Sequence, residues 1–110
     1  MINLLVLKET FESEKRVALV PDEVKKYFDL GFKVTIEKDA GIKSGFLDED
    51  YRKLNANISQ NVEKSIKESD IIIKIQKPDQ GIINIMKTGT ILMGLLSPKK
   101  NRKIQISIYK

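Results

Sequence analysis

The sequence has no cysteine and no histidine among its 110 residues. Without cysteine it can form no disulfide and no thiolate nucleophile, which fits a reducing compartment, so we expect a cytoplasmic protein. Without histidine it lacks the commonest general base and the commonest metal ligand. The two absences exclude a histidine-based catalytic triad and a zinc site.

Long apolar runs and a basic surface are also missing. No segment approaches the roughly 18 to 20 apolar residues of a membrane span, so no direct membrane span is predicted. The net charge of +5 is concentrated in residues 99–110, which hold five of the 20 basic residues and none of the 15 acidic ones. Residues 1–98 are therefore neutral overall, and no aromatic residues alternate with the basic ones, so nucleic acid is not an expected partner.

What is present is an alternation of apolar runs with short helical patterns. The predicted strands are Ile2 to Leu7, Phe32 to Glu37, Asp70 to Ile75 and Thr90 to Gly94. The predicted helices run from Pro21 to a stop at Gly31, from Glu49 to Leu54 after an Asp48 cap, from Asn61 to Lys67 with Asn61 as the cap, and from Pro78-Asp79 to about Met86. This order predicts an α/β fold, a Rossmann- or flavodoxin-like, mostly parallel sheet with short flanking helices. Residues 103–109 alternate polar and apolar side chains, which suits an edge strand or a frayed end.

Two cations fall where strands end. Arg16 follows the first strand and Lys74 lies near the end of the Asp70 to Ile75 run. Ligands of open α/β sheets bind at that edge, so the two residues together could hold a small carboxylate or phosphate. On residue type alone, a plainer arrangement is favoured, in which Lys74 lies at a solvated strand end. Lys77 could replace Lys74 as the cation at this edge, although its place in a loop favours a solvated role.

In that plainer arrangement Arg16 simply forms an ion pair with a nearby acid. The candidate partners are Glu9, Glu12 and Glu14.

The sequence contains no dinucleotide-binding fingerprint. No glycine-rich G-x-G-x-x-G turn follows a predicted strand, and the segment Gly41 to Phe46 is not a phosphate loop, so we expect a structural turn there with Phe46 in the core. The acidic cluster Asp48-Glu49-Asp50 suits a helix N-terminus better than a metal site.

Taken together, the residues resemble the N-terminal region shared by alanine dehydrogenases and the alpha subunit of proton-translocating NAD(P) transhydrogenase. The matching residues are Lys8-Glu9, Glu14-x-Arg16-Val17-Ala18-x-x-Pro21, Gly31-Phe32-x-Val34, Ala40-Gly41-x-x-Ser44-Gly45-Phe46-x-Asp48-x-x-Tyr51, Asp70-Ile71-Ile72-Ile73-Lys74-Ile75 and Gly89-Thr90-Ile91-Leu92. The resemblance implies two Rossmann-like domains, of which the second carries the NAD site. It also implies that, in alanine dehydrogenases, the positions matching Arg16 and Lys74 bind the substrate carboxylate and carbonyl.

The resemblance separates the two branches at one position. Alanine dehydrogenases place a catalytic histidine in the loop after the strand that corresponds to Thr90 to Gly94, and here Ser97 holds that place. Leu96-Ser97-Pro98 is more similar to the transhydrogenase version. The sequence departs from the family at two turns, where Asp39 replaces a glycine and Asn55-Ala56-Asn57 replaces Ala-Gly-Ala.

We therefore expect residues 1–98 to belong to the family's N-terminal α/β domain, as an incomplete copy of it, and residues 99–110 to be a basic, divergent tail. The chain would be a truncated transhydrogenase alpha-subunit fragment, inactive and without a bound cofactor on its own. NAD(H) and NADP(H) would belong to the full protein, which would work at the cytoplasmic face of the inner membrane. Expected partners are a second copy in a homodimer and the remaining transhydrogenase domains or beta subunit.

Two alternatives stay open. One is a remnant of an alanine dehydrogenase that binds a small 2-oxo acid through Arg16 and Lys74. The other is a non-enzymatic, self-associating module whose exposed sheet edge pairs with another chain.

Overall fold

Strands and helices alternate as the sequence predicts. The computed structural model describes residues 2–10, 13–76, 80–96 and 103–108, and within them six strands and four α-helices are found. The strands are β1 (Ile2–Val6), β2 (Phe32–Glu37), β3 (Asn57–Ser59), β4 (Ile71–Lys74), β5 (Ile91–Leu96) and β6 (Lys103–Ile108). The helices are α1 (Pro21–Asp29), α2 (Asp48–Arg52), α3 (Val62–Glu68) and α4 (Gln80–Ile85).

The strands form one sheet in the order β3-β2-β1-β4-β5-β6. The first five are parallel, and β6 runs antiparallel to β5. The predicted mostly parallel α/β fold is thus confirmed. β2 and β3 follow β1 on one side of it, and the chain then crosses to β4 on the other side of β1. The order of strands reverses there, and such a reversal opens a crevice at the carboxyl ends of the two strands, where ligands bind in open α/β sheets.

The sheet is covered on both faces, which explains the nearly continuous apolar run of β1. Leu4 and Val6 join the core beneath α1 and α2. Leu5 and Leu7, which point to the opposite face because strand side chains alternate, join a second core with residues of α3 and α4. Alternate residues of one strand therefore bind the two helical layers together.

Several predicted boundaries shift by one or two residues, and one strand was missed. β3 is only three residues long and mostly polar, so it carried no apolar pattern, and it forms by pairing with β2. The Asn61 cap is confirmed, since its side-chain oxygen accepts a hydrogen bond from the amide of Lys64 at 3.1 Å. The Asp48 cap is wrong: α2 begins at Asp48 itself, and this carboxylate accepts a hydrogen bond from the amide of Asp39 at 2.9 Å.

Some sequence-based expectations fall outside the described residues. These are the helix start at Pro78-Asp79, the role of Lys77, the break at Ser97-Pro98 and the beginning of the tail. Residues 103–108, later in the tail, form β6. Of the two predicted alternatives, an edge strand or a frayed end, this segment is the edge strand. The division of the chain after residue 98 stays a prediction.

Candidate functional site

The candidate site lies at the carboxyl edge of the sheet, where β1 and β4 end side by side. The loop after β1 brings Glu9, Glu14 and Arg16 to this edge, and the end of β4 brings Lys74 and Gln76. The two predicted cations are thus placed at the topological reversal described above. Each of them is paired with a glutamate of the first loop.

Lys74 forms a buried ion pair with Glu9. Its Nζ lies 3.0 Å from Glu9 Oε1, and only 5% and 2% of the two side chains are exposed. The same carboxylate accepts hydrogen bonds from the backbone amides of Ile75 at 2.8 Å and Gln76 at 3.0 Å. The expectation of a solvated Lys74 is therefore wrong, because the loop after β1 returns a carboxylate to the strand end and makes burial of the ammonium tolerable.

Arg16 forms a bidentate ion pair with Glu14, one of the three acids predicted as its partner. Arg16 Nε and Nη2 lie 2.8 and 2.9 Å from the two carboxylate oxygens, and the backbone amide of Arg16 donates to the same group at 3.1 Å. The Arg16 hydrogen bond, with a smaller contribution from Gln76, lowers the pKa of Glu14 from its usual 4.5 to about 2 against the opposing effect of desolvation. Glu14 is therefore a carboxylate across the physiological range.

Gln76 joins the two ion pairs. Its backbone amide donates to Glu9, and its side-chain Nε2 donates to Glu14 Oε1 at 2.6 Å. Sequence reasoning missed Gln76, and its only signal was its place two residues after Lys74 at a strand end. The result is a continuous polar chain from Lys74 through Glu9 and Gln76 to Glu14 and Arg16.

A third glutamate, at the end of β2, completes the edge. Glu37 accepts a hydrogen bond from the backbone amide of Lys8 at 2.8 Å. Burial raises the pKa of this carboxyl, while Lys8 and Lys74 oppose the rise. Lys8, Arg16 and Lys74 face an equal number of glutamates, so the cluster is close to neutral rather than strongly cationic.

The described loops do not fit a dinucleotide. A pyrophosphate needs glycines that let it approach the backbone at a helix N-terminus. Gly41 is the glycine that follows β2 most closely, but its Cα hydrogen faces the core: a Cβ there would lie 2.9 Å from Phe46 and from the Tyr51 ring. The loop between β1 and α1 contains no glycine. Nor do the described residues include a group of three or more acidic side chains able to hold a metal ion.

Many proteins contain a parallel α/β domain with cationic side chains at its strand ends. Comparison with known proteins identifies the family. Residues 5–108 match the model of the alanine dehydrogenase/PNT family, N-terminal domain. The chain belongs to this family.

Relatives from both branches are similar to the chain to nearly the same degree. It is 35% identical to the first part of NAD(P) transhydrogenase subunit alpha of Rickettsia prowazekii (strain Madrid E) over 106 residues, covering 93% of the chain and 28% of the relative. It is 36% identical to alanine dehydrogenase 1 of Staphylococcus aureus (strain Mu50 / ATCC 700699) over 99 residues, covering 90% of the chain and 26% of the relative.

Solved structures agree with the sequence comparisons. The transhydrogenase of Sinorhizobium meliloti superposes with a TM-score of 0.79 at 30% identity, over 86% of the chain and 28% of that protein. An L-alanine dehydrogenase superposes with a TM-score of 0.78 at 28% identity, over 84% of the chain and 26% of that protein. The chain thus spans little more than a quarter of the length of these relatives. No helix among the described residues is long and apolar enough to cross a membrane.

Proposed function

We propose that this chain is an N-terminal segment of a transhydrogenase alpha subunit rather than of an alanine dehydrogenase. The observation that carries the proposal is the absence of histidine from all 110 residues, because the resemblance implies a catalytic histidine at the position of Ser97 in alanine dehydrogenases. The similarity scores are nearly equal for the two branches and do not separate them.

In this proposal the whole protein transfers a hydride from NADH to NADP, and the 110 residues alone perform no redox step. The lack of a glycine fingerprint and the buried environment of Gly41 support this division of roles. The remaining alpha-subunit domains and a beta subunit would be the partners, at the cytoplasmic face of the inner membrane. The chain would also form a homodimer.

Two chimaeras test the assignment. In one, this chain replaces the matching N-terminal segment of the Rickettsia transhydrogenase subunit; in the other, it replaces the matching segment of the Staphylococcus alanine dehydrogenase. We expect the first chimaera to support hydride transfer from NADH to an NADP analogue when assembled with its partner components. We expect the second to lack alanine oxidation and to regain it on Ser97→His.

Alanine oxidation by the second chimaera with Ser97 unchanged would overturn the assignment. The isolated chain adds an independent test, because NADH fluorescence should not change when the chain is titrated. Micromolar NADH binding would contradict the proposed absence of a cofactor site.

A second function, binding of a small carboxylate at Arg16 and Lys74, is favoured by one observation. The guanidinium of Arg16 uses Nε and one Nη2 hydrogen on Glu14, and 42% of its side chain remains exposed. An arginine has five N–H donors, so a second carboxylate can bind the other edge of the fork. Lys74 donates to Glu9 from a side chain that is only 5% exposed, so Arg16 is the cation of this pair that a ligand can reach directly.

Pyruvate is the probe for this second function. It should raise the melting temperature of the chain, and Arg16→Ala should abolish the rise. A melting temperature that does not depend on pyruvate, or a rise that survives Arg16→Ala, would remove Arg16 from the site.

A further inference from the structure

The Arg16 fork has two edges that can each bind a carboxylate, and they have different surroundings. Glu14 occupies the Nε–Nη2 edge with distances of 2.8 and 2.9 Å, and its own side chain is only 5% exposed. For the Nη1 edge, the described portion of the chain provides no hydrogen-bond partner. The buried acid on one edge gives the guanidinium a defined direction, and 42% of the Arg16 side chain as a whole is exposed.

We infer that Glu14 is a positioning residue, which holds Arg16 by its inner edge so that the outer edge is presented to a small monocarboxylate. The inference rests on the proposed carboxylate site. A free arginine side chain carries several rotatable bonds, and fixing it costs entropy that weakens ligand binding unless the protein has already done so. Glu14 fixes it before the ligand arrives.

Gln76 extends this arrangement to the second cation. It donates to Glu14 Oε1 from its side chain and to Glu9 Oε1 from its backbone, and Glu9 in turn binds Lys74. The carboxylate of Glu14 therefore has partners on both sides and cannot turn without breaking one of them. These three residues thus join the Arg16 guanidinium to the buried ion pair of Lys74 and Glu9.

The alternative is that Glu14 blocks the site. In that case the ligand carboxylate would have to displace Glu14 from the fork. The low pKa of Glu14 argues against easy displacement, because it reflects strong stabilisation of the paired carboxylate. The two arrangements make opposite predictions for the same variant.

Guanidinium NMR of the full, 15N-labelled chain distinguishes them. The chain has three arginines, so the Arg16 signals are assignable by substitution. On addition of pyruvate we expect the Arg16 Nη signals to shift while its Nε–H signal stays in place. Glu14→Gln should weaken pyruvate binding by about 2- to 10-fold, the factor expected when one rotamer-rich side chain loses its preorganisation. Glu14→Asp, which keeps the charge, should recover some of the affinity.

Arg52 and Glu49 supply the matched control. They form an exposed ion pair on α2 at 3.4 Å, with 48% and 62% of the side chains exposed, so Glu49→Gln should not change pyruvate binding. Tighter binding by Glu14→Gln, or a shift of the Arg16 Nε–H signal with pyruvate, would overturn the inference in favour of a blocking Glu14. If Arg16→Lys abolishes pyruvate binding and Glu14→Gln leaves it unchanged, then Arg16 binds the carboxylate but Glu14 does not position it. If no arginine signal responds to pyruvate, the carboxylate site and the role of Glu14 in it are both wrong.

Discussion

An ammonium group in a row of isoleucines loses its hydration, and Lys74 replaces that hydration through Glu9. The pair is almost fully buried, at 5% and 2% exposure. The attraction between buried charges roughly offsets the cost of removing both from water, but losing one partner leaves the other uncompensated. The pair therefore contributes little as a whole and is expensive to break.

The loss of stability on breaking this pair should depend on which of the two residues is replaced. We expect Glu9→Gln to lower the free energy of unfolding by about 3–5 kcal/mol, because Lys74 keeps its buried charge without a counter-ion. Lys74→Met should cost less, since the Glu9 carboxylate retains the amides of Ile75 and Gln76 as donors. Urea denaturation measures both.

The exposed pair of Lys25 and Asp29 is the control for this prediction. Its side chains are 67% and 56% exposed, so Lys25→Met should change the free energy of unfolding by less than about 1 kcal/mol. Equal small effects at Lys25 and at Glu9 would contradict the buried pair.

The pKa values of Glu14 and Glu37 predict opposite contributions to acid stability. The pKa of Glu14 is lowered to about 2, so its contribution is fully present above its usual 4.5 and is lost as pH falls from 4.5 to about 2. The pKa of Glu37 is raised by burial, so the Glu37 carboxylate destabilises the fold above that raised pKa, and this penalty is relieved as pH falls from the raised pKa to 4.5. The free energy of urea unfolding, measured against pH, should therefore fall less steeply below pH 4.5 in Glu14→Gln, whereas Glu37→Gln should remove a gain in stability that lies above pH 4.5. Parallel curves for the two variants would show that neither carboxyl has the surroundings described here.

At the scale of single residues, the sequence could place Arg16 and Lys74 at strand ends because the apolar runs end there. It could also name Glu14 among the partners of Arg16, two positions away. It could not predict the partner of Lys74, because Glu9 lies 65 positions away along the chain and meets Lys74 only through the pairing of β1 with β4. Gln76 was missed for the same reason.

At the scale of elements, the turn from β2 to α2 depends on one close approach. Gly41 lies against the ring of Tyr51, a fully buried side chain whose hydroxyl donates to the carbonyl of Leu19 at 2.8 Å. Tyr51 thus connects α2 to the loop that carries Arg16. The sequence pattern predicted a structural turn here but did not indicate that Gly41 was needed for packing rather than for its backbone angles.

Gly41→Ala should disturb this packing without straining the backbone. The added Cβ would lie 2.9 Å from the Tyr51 hydroxyl and from Phe46 Cβ, so a side chain or the turn must move. We expect a loss of about 1–3 kcal/mol in unfolding free energy, as for other overpacked cores. Gly94→Ala is the control, because its nearest neighbour would be the Lys74 carbonyl oxygen at an ordinary 3.8 Å. A loss at Gly94 as large as that at Gly41 would point to a general effect of alanine rather than to this contact.

At the scale of the whole molecule, the parallel sheet followed from the sequence, but the order of its strands did not. Apolar runs such as Ile71–Lys74 identify strands buried on both faces. The neighbour of each strand is set by crossover connections and by contacts between distant segments, which a local pattern does not contain. The short β3 was missed because its identity comes from pairing with β2 and not from its own side chains.

The tail strand β6 is the last strand of the described sheet, next to β5. It pairs with β5 in antiparallel register from Ile91 opposite Ile108 to Leu96 opposite Lys103. The helices α1, α2 and α3, in contrast, pack on β2, β3 and β1. Removal of the tail therefore tests whether the rest of the sheet folds without it.

Shortening the chain to residues 1–98 tests whether the tail is an appendage. We expect the shortened chain to keep its helical circular dichroism, because α1, α2 and α3 pack on β2, β3 and β1. It should associate more strongly than the full chain in light scattering, since the apolar strand Ile91–Leu96 would then be an uncovered edge open to pairing with another molecule. The full chain should scatter as a dimer at the same concentration. Loss of the helical signal on shortening would mean that β6 belongs to the folding unit, and a monomeric shortened chain at high concentration would show that the β5 edge does not drive association.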